Sequence, residues 1–276
     1  MISLKVASYL SNVKAMDDDV LLSETADRVR TLTLNRPAAR NALSAELMTR
    51  LSAALAEAEA DDGVAAVVLT GTDPAFCAGL DLREVGAGSI DLDFVLDPKR
   101  SPWWVLGAMR TPVIGAINGP AITGGLELAL QCTFLVASER AAFGDTHARV
   151  GVHPGGGLTG LLPQAVGLRQ AREMSFTGNF VAATEAERIG LVNHVVPHDD
   201  LLPTARRLAA DIAAADGRTV AALNDTYRDV AALPLGEGLE LERRRFAEWG
   251  LPAAEVERRR AAVAGRGRRA RASSEE

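Results

Sequence analysis

Short hydrophobic runs, separated by polar and glycine-containing stretches, recur along most of the chain. Runs at residues 29–34, 64–70 and 112–117 are rich in aliphatic side chains and predict strands. Between the first two, Ser44 is placed to cap a helix that continues to about residue 60 with leucine and alanine on one face. A strand, a helix and a second strand joined by short loops predict a right-handed crossover and a mainly parallel sheet.

Beyond residue 90 the pattern changes gradually from mixed to helical. Pro98 and Pro102 interrupt a helical region between residues 91 and 110. Short strands are predicted at 134–137, 141–143 and 191–196, with helical stretches at 158–175, broken near Gly167, and at 201–215. Strands that give way to helices alone predict an α/β core followed by a helical extension.

Residues 118–132, N-G-P-A-I-T-G-G-L-E-L-A-L-Q-C, are the centre of this organisation. The strand before them enters a helix through Gly124 and Gly125, which allow a tight turn. The first N–H groups of such a helix have no partner within the helix, so the junction is a site for negative charge. Gly124 can bring its N–H close to a ligand, and Glu127 places a carboxylate about one turn further on. The alternative is that Glu127 only complements the helix dipole.

A second loop with small residues at its tip follows the strand at 64–70 and spans residues 71–82. Two such tips can offer two N–H donors to one oxygen atom. The pair, F-C-A-G-L-D-L and A-I-N-G-P-A-I-T-G-G-L-E-L-A, resembles the enoyl-CoA hydratase/isomerase (crotonase) family. The resemblance runs from about Val29 to about Val263 and includes N-R-P-A-A-R-N-A-L, A-F-G and P-G-G-G.

The resemblance implies an α/β fold, a crotonase-like spiral of strand-strand-helix turns with a C-terminal helical extension. Four segments are expected: a loosely held N-terminal arm at 1–27, the spiral core at 28–200, a helical trimerisation region at 201–264 and a disordered basic tail at 265–276. The family also implies assembly into a homotrimer or homohexamer. Apolar faces in the helical part, larger than one small extension needs, agree with that expectation.

The resemblance further implies an enoyl-CoA hydratase, a lyase that adds water to the 2,3 double bond of an acyl-CoA thioester. Leu80 and Gly124 match the family's oxyanion-hole donors, and Glu127 matches the first of its two catalytic glutamates. Coenzyme A enters as part of the substrate, so no separate cofactor is expected. The residues expected to contact it are Arg40, Asn41, Ala42, Ala78, Leu80 and Asp81. Arg40 suits a phosphate because a guanidinium forms forked hydrogen bonds.

The second family glutamate is replaced by His147 in the segment F-G-D-T-H. An imidazole can act as an acid or a base near neutral pH, which predicts a Glu127/His147 pair. The alternatives are a structural histidine, or Asp145 as the missing carboxylate if extended backbone places both residues on one face. For the whole chain, the alternatives to a hydratase are a double-bond isomerase and a non-catalytic acyl-CoA-binding protein.

Trp103 and Trp104 are expected in the core, and the family allows either to line the acyl pocket instead. The net charge of −6 argues against a general nucleic-acid binder, although arginines concentrate near the C-terminus. A solvated helix face and a frayed tail explain them by default. The functional alternative is a nucleotide phosphate, for which Arg266 is the weaker candidate.

The sequence contains no apolar run of the length that spans a membrane and no signal-peptide pattern, so a soluble, cytoplasmic protein is expected. Cys77 and Cys132 are expected to be packing residues rather than a disulfide. Four scattered histidines lack the spacing of metal ligands, so no metal site is expected.

Overall fold

The computed structural model describes residues 19–250, 253–254, 256–260 and 264–265. Within these residues the strands are β1 (Leu21–Ala26), β2 (Val29–Leu34), β3 (Ala66–Gly71), β4 (Val113–Ile117), β5 (Ala121–Ile122), β6 (Phe134–Ser138), β7 (Ala142–Gly144), β8 (Val181–Ala182) and β9 (His194–Val196). The helices are α1 (Ala45–Ala60), α2 (Leu82–Gly86), α3 (Leu92–Leu96), α4 (Pro102–Ala108), α5 (Gly124–Gln131), α6 (His147–Val150), α7 (Leu158–Val166), α8 (Leu168–Thr177), α9 (Ala183–Arg188), α10 (Leu201–Ala213), α11 (Gly217–Ala231) and α12 (Leu235–Trp249).

Six strands form one sheet in the order β1-β2-β3-β4-β6-β9. Only the β1–β2 pair in this sheet is antiparallel, and its other pairs are parallel. The loops that leave β3 and β4 therefore start at the same edge of the sheet. In a smaller sheet, β5-β7-β8, strand β5 belongs to the second glycine-tipped loop, and its Ala121 forms a bridge with Cys77 of the first. This topology brings together the two loops on which the predicted site depends.

The central strands are hydrophobic on both faces, as expected for a covered parallel sheet. In β3, Val67 and Leu69 belong to one buried cluster, whereas Val68 belongs to a second cluster on the opposite face. Helix α10 covers that second face with residues four positions apart. The predicted cap of α1 is confirmed, since Ser44 accepts the Leu47 N–H at 3.1 Å. The predicted break near Gly167 is also confirmed, because α7 and α8 meet there.

Two predicted segment limits differ from the structure. Residues 21–26 were predicted as part of a loose arm, but they form β1, which pairs with β2 along its whole length. The sequence lacks the hydrophobic pattern of a strand here because most of the side chains of β1 are exposed. The core was predicted to end at residue 200, yet α10 packs on the sheet. Residues 1–18 and most of the predicted tail lie outside the described residues.

The chain divides into two compact units between Asn224 and Asp225, and the candidate site belongs to the first. Among the described residues, no helix combines the length and the apolar character needed to cross a membrane.

Candidate active site

The start of helix α5 is fixed by glycine sterics. A Cβ atom on Gly125 would lie 2.1 Å from the Cys77 carbonyl oxygen, so only glycine fits there. Gly124 is buried as well, and a Cβ atom on it would lie 3.2 Å from Cζ2 of Trp103. The helix therefore starts in direct contact with the loop that follows β3, as the two glycine-tipped motifs predicted.

The N–H groups of Leu80 and Gly124 come close together at this contact. A Cβ atom on Gly79 would lie 3.2 Å from the Gly124 nitrogen, and one on Gly124 would lie 3.5 Å from the Leu80 nitrogen. Gly79 has φ +91°, which favours glycine and turns the following peptide toward α5. Within residues 19–250, neither N–H donates to a protein acceptor. Two neighbouring backbone donors are thus available to one acceptor, as an oxyanion hole requires.

Glu127 is buried and does not simply complement its own helix dipole. Its Oε1 accepts the Gly156 N–H at 2.7 Å, from a loop 29 positions further along the chain. Burial raises the pKa of the Glu127 carboxyl, although the Gly156 N–H and nearby His147 act in the opposite direction. A carboxyl with a raised pKa holds its proton closer to neutral pH and can serve as an acid or a base.

His147 lies between two carboxyl groups. Its Nδ1 is 2.6 Å from Oδ1 of Asp145, and its Nε2 is 3.8 Å from Oε2 of Glu127. Burial would raise the pKa of Asp145, but hydrogen bonds from His147 and Ser175 outweigh burial and lower it. Because ionised Asp145 accepts the proton on Nδ1, the Nε2 atom is directed at Glu127. The structure therefore brings Glu127, His147 and Asp145 together.

The contact between Asp145 and His147 forms differently from the extended geometry considered above. Strand β7 ends at Gly144, and His147 begins helix α6. Asp145 accepts both the His147 N–H, at 3.1 Å, and the ring nitrogen. A turn at the start of a helix, rather than strand alternation, places the two side chains side by side.

Two supporting side chains could not be inferred from any motif. Trp103 donates its indole N–H to the Gly124 carbonyl at 2.8 Å, and its ring covers Gly156. Gln131 donates to the Gly156 carbonyl at 2.9 Å. Glu127 and Gln131 stand four positions apart on α5, so one helix face holds both polar groups of Gly156. This periodic pair is the only sequence signal that could have found Gln131.

The residues predicted to contact coenzyme A lie on two adjacent segments. The Ala78 N–H donates to the Arg40 carbonyl at 3.1 Å, and the Leu43 N–H donates to the Gly79 carbonyl at 2.7 Å. Ala42 is buried beside this contact, and Arg40 is exposed. The segments are therefore brought together, while Arg266 lies outside the described residues.

Two of these predicted residues use their polar side chains within the protein. Asn41 is fully buried, donates to the carbonyls of Thr72 and Ala75, and accepts the Arg36 N–H. Asp81 forms an ion pair with Arg36 at 3.0 Å and caps α2. Burial opposes ionisation of Asp81, but the hydrogen bond and charge of Arg36, together with the N–H groups of Arg83 and Glu84, outweigh burial and lower the pKa. For both residues, contact with coenzyme A remains a prediction for backbone atoms only.

The thiols and the candidate metal ligands do not add to the site. Burial raises the pKa of both Cys77 and Cys132 to about 12, so neither is a thiolate near neutral pH. In the part of the chain that the structure describes, no group of three or more histidine, cysteine or carboxylate side chains could hold a metal ion.

Comparisons with known proteins agree with this geometry. The family model described as enoyl-CoA hydratase/isomerase matches residues 24–258. A probable enoyl-CoA hydratase of Rhizobium meliloti (strain 1021) is 42% identical over 234 residues, which cover 84% of this chain and 90% of that relative. The 2,3-dehydroadipyl-CoA hydratase of Escherichia coli (strain K12) is 38% identical over 227 residues, covering 82% of this chain and 88% of that protein.

A solved structure, that of an enoyl-CoA hydratase from Mycobacterium tuberculosis H37Rv, shares 56% sequence identity with a TM-score of 0.71. The match covers 81% of this chain and 96% of that one. The family match, the identities and the two facing glycine-tipped loops lead to one conclusion: this chain belongs to the enoyl-CoA hydratase/isomerase family.

Proposed function

We propose that the protein is an enoyl-CoA hydratase, which adds water across the 2,3 double bond of an acyl-CoA thioester. The observation that carries the proposal is the facing pair of Glu127 and His147, 3.8 Å apart. Glu127 stands on helix α5, which begins at Gly124, and the N–H groups of Gly124 and Leu80 lack protein acceptors within residues 19–250. Relatives named as hydratases support the same reaction class.

The thioester oxygen binds between the N–H groups of Leu80 and Gly124. Attack of water at C3 moves electron density through C2 onto this oxygen, and the two donors stabilise the resulting enolate. One donor of this kind contributes about 3–4 kcal/mol to the barrier reduction. The donors belong to the backbone and are held by glycine packing, so they need no reorganisation during the reaction.

Glu127 and His147 supply the acid and the base. The pair carries one transferable proton, on Oε2 of Glu127 or on Nε2 of His147, while Asp145 faces the other imidazole nitrogen at 2.6 Å. The member of the pair without the proton takes one from water as the C3–O bond forms. The member with the proton delivers it to C2. Return of a proton between the two side chains, relayed by a water molecule because Nε2 and Oε2 are 3.8 Å apart, then restores the pair.

Coenzyme A lies against the paired segments that contain Ala42 and Ala78, with exposed Arg40 available to a phosphate. Arg36 organises this surface indirectly through its ion pair with Asp81. The proposal includes no separate cofactor, since acid, base and oxyanion donors account for every proton and charge in the reaction.

Assembly into a trimer or a dimer of trimers, in the cytoplasm, is part of the proposal. Within the second unit, helix α12 exposes a row of large apolar side chains: Leu235, Leu239 and Phe246. Exposed apolar side chains that share one helix face favour burial against another chain. Light scattering at micromolar concentration tests this part, and a monomer contradicts it.

A panel of 2-enoyl-CoA thioesters of increasing acyl length tests the function. We expect loss of conjugated absorbance, together with a product whose mass has increased by one water. A product of unchanged mass indicates an isomerase and overturns the proposal. Binding without any product indicates an acyl-CoA-binding protein and overturns it equally.

A further inference from the structure

Thr123, directly before Gly124, has a backbone conformation that is unusual for its residue type. Its φ of 54° and ψ of −110° match the first central position of a type II′ turn, which glycine normally occupies. Five non-glycine residues among those described have positive φ, and Thr123 is the β-branched one. Such a conformation persists only where surrounding contacts determine it, and these positions cluster at functional sites.

Four hydrogen bonds hold Thr123 in place. Its N–H donates to the Gly144 carbonyl at 2.8 Å, and its carbonyl accepts the Glu127 N–H at 2.9 Å. Its hydroxyl oxygen lies 2.5 Å from that of Thr146 and also accepts the Thr146 N–H at 3.2 Å. The bonds therefore run to strand β7, to helix α5 and to the residue that immediately precedes His147.

The direction of the Gly124 N–H follows from these bonds. The carbonyl of Thr123 points along α5, since it accepts from Glu127. In a trans peptide the carbonyl and the N–H point in opposite directions, so the Gly124 N–H points out of the helix start. The ψ angle of Thr123 sets the rotation of this peptide. A relaxed ψ would turn the N–H away from Leu80.

We propose that Thr123 is a positioning residue that couples the oxyanion donor to the acid/base pair. Its backbone sets the direction of the Gly124 N–H, and its hydroxyl, through Thr146, holds the start of the helix that carries His147. One residue thereby sets the spacing between the thioester oxygen and the groups that act at C2 and C3. This inference rests on the proposed hydratase function and adds the element that joins the two halves of the site.

Three substitutions separate the effect of the Thr123 hydroxyl from the effect of its strained backbone conformation. Thr123→Ser keeps the hydroxyl, Thr123→Ala removes it and retains a Cβ atom, and Thr123→Gly removes both. We expect Ser to keep most of the wild-type kcat, whereas Ala and Gly lose about 10- to 100-fold with KM within about threefold. We also expect the glycine variant to melt about 2–4 °C above the alanine variant, because glycine adopts this φ without strain.

Thr49→Ala serves as the matched control. The Thr49 hydroxyl donates to the Ala45 carbonyl at 2.8 Å on the exposed face of helix α1, outside the site. Wild-type kcat in Thr123→Ala and Thr123→Gly, or equal losses in the serine and alanine variants, would overturn the proposal. So would a rise in KM with kcat unchanged. A glycine variant that melts at or below the alanine variant would overturn the strained conformation on which the proposal depends.

The NMR signals of the His147 imidazole test the coupling independently of the hydratase assignment. The chain contains four histidines, so a His147→Asn spectrum assigns the signal. If the wild type hydrates no enoyl-CoA, the proposed function fails, yet coupling still predicts a shifted His147 signal in Thr123→Ala and Thr123→Gly but not in Thr123→Ser. An unchanged signal in all three variants would show that Thr123 does not position His147 and would overturn the inference.

Discussion

The two halves of the site are built by different means. In the proposed function, the oxyanion side consists of the backbone N–H groups of Leu80 and Gly124, which glycine packing fixes. The proposed acid/base side consists of the side chains of Glu127 and His147, which Gly156 and Asp145 hold. Most single substitutions leave a backbone donor in place, whereas one substitution can remove a side-chain acid or base. The acid/base side should therefore determine which reaction the fold performs.

The largest effect is expected from Glu127→Gln. Glutamine keeps the shape and can still accept the Gly156 N–H, but it cannot exchange a proton at neutral pH. We expect kcat to fall by about 10²–10⁴, roughly 3–5 kcal/mol of barrier, with a much smaller change in KM. Steady-state kinetics on a short enoyl-CoA measures this, and a wild-type rate would return Glu127 to a purely structural role.

The substitution Glu127→Gln should also change the stability of the protein, and in the opposite direction to its activity. Burial raises the pKa of Glu127 in the folded protein above its ordinary value of 4.5, so the folded state binds this proton more tightly than the unfolded state. The wild type therefore loses stability as the pH rises past that ordinary value and through the folded pKa. Glu127→Gln should be the more stable protein near neutral pH, and the difference should vanish in acid. Urea unfolding at several pH values tests the sign.

A comparable loss of kcat is expected when His147, the other member of the proposed acid/base pair, is replaced. His147→Ala should lower kcat by about 10²–10³ if the imidazole transfers a proton. His147→Glu should also lower kcat, because a third carboxylate beside Asp145 and Glu127 cannot ionise freely and does not replace the imidazole.

The double variant Asp145→Asn/His147→Glu removes that repulsion and should recover part of the rate. Comparing pH–rate profiles of the single and double variants measures the difference. A single His147→Glu variant as active as the double one would show that Asp145 does not control position 147.

An intermediate effect is expected at the loop that holds Glu127. A Cβ atom on Gly156 would lie 2.9 Å from Cδ of Glu127 and 2.8 Å from the Trp103 ring, so Gly156→Ala should displace the carboxyl group. We expect kcat to fall about 10- to 100-fold. Gly155→Ala is the matched control, since a Cβ atom there meets nothing within 4 Å. Equal rates for the two variants would contradict the role given to Gly156.

The smallest loss of kcat is expected from a substitution that affects only the backbone donors, through Trp103. Trp103→Phe removes the indole donor to the Gly124 carbonyl and keeps an aromatic ring in the space. One neutral hydrogen bond is worth about 0.5–1.5 kcal/mol, so a loss of about 3- to 10-fold in kcat is expected. Trp104 was expected in the core but is exposed, unlike Trp103, so Trp104→Phe should have almost no effect. A larger loss for Trp104 would reverse the assignment of the two tryptophans.

Local and long-range interactions explain how far the sequence could predict this molecule. The glycine-tipped loops, the cap at Ser44 and the position of Glu127 follow from interactions between near neighbours, and each was predicted. Strand β1 was not, because its side chains apart from Leu21 are mostly exposed and backbone pairing with β2 largely holds it.

The hydrogen bonds that support the site could not be predicted either, because they join residues far apart in the sequence. The bonds from Trp103 to Gly124, Gln131 to Gly156 and Gly156 to Glu127 join residues 21, 25 and 29 positions apart. Apart from the four-residue spacing of Glu127 and Gln131 on α5, no periodic pattern indicates such contacts. The family resemblance therefore predicted the fold and named the two backbone donors, whereas the environment of His147 required the three-dimensional structure.

Hydration in water labelled with ¹⁸O tests the central claim most directly. The wild type, incubated with a short 2-enoyl-CoA, should give a 3-hydroxyacyl-CoA that carries one labelled oxygen at C3. Under the same conditions Glu127→Gln and His147→Ala should give at least about 100-fold less of it. A wild-type product without labelled oxygen, or labelled product formed at undiminished rate by either variant, would contradict the account of Glu127 and His147 as a hydrating pair.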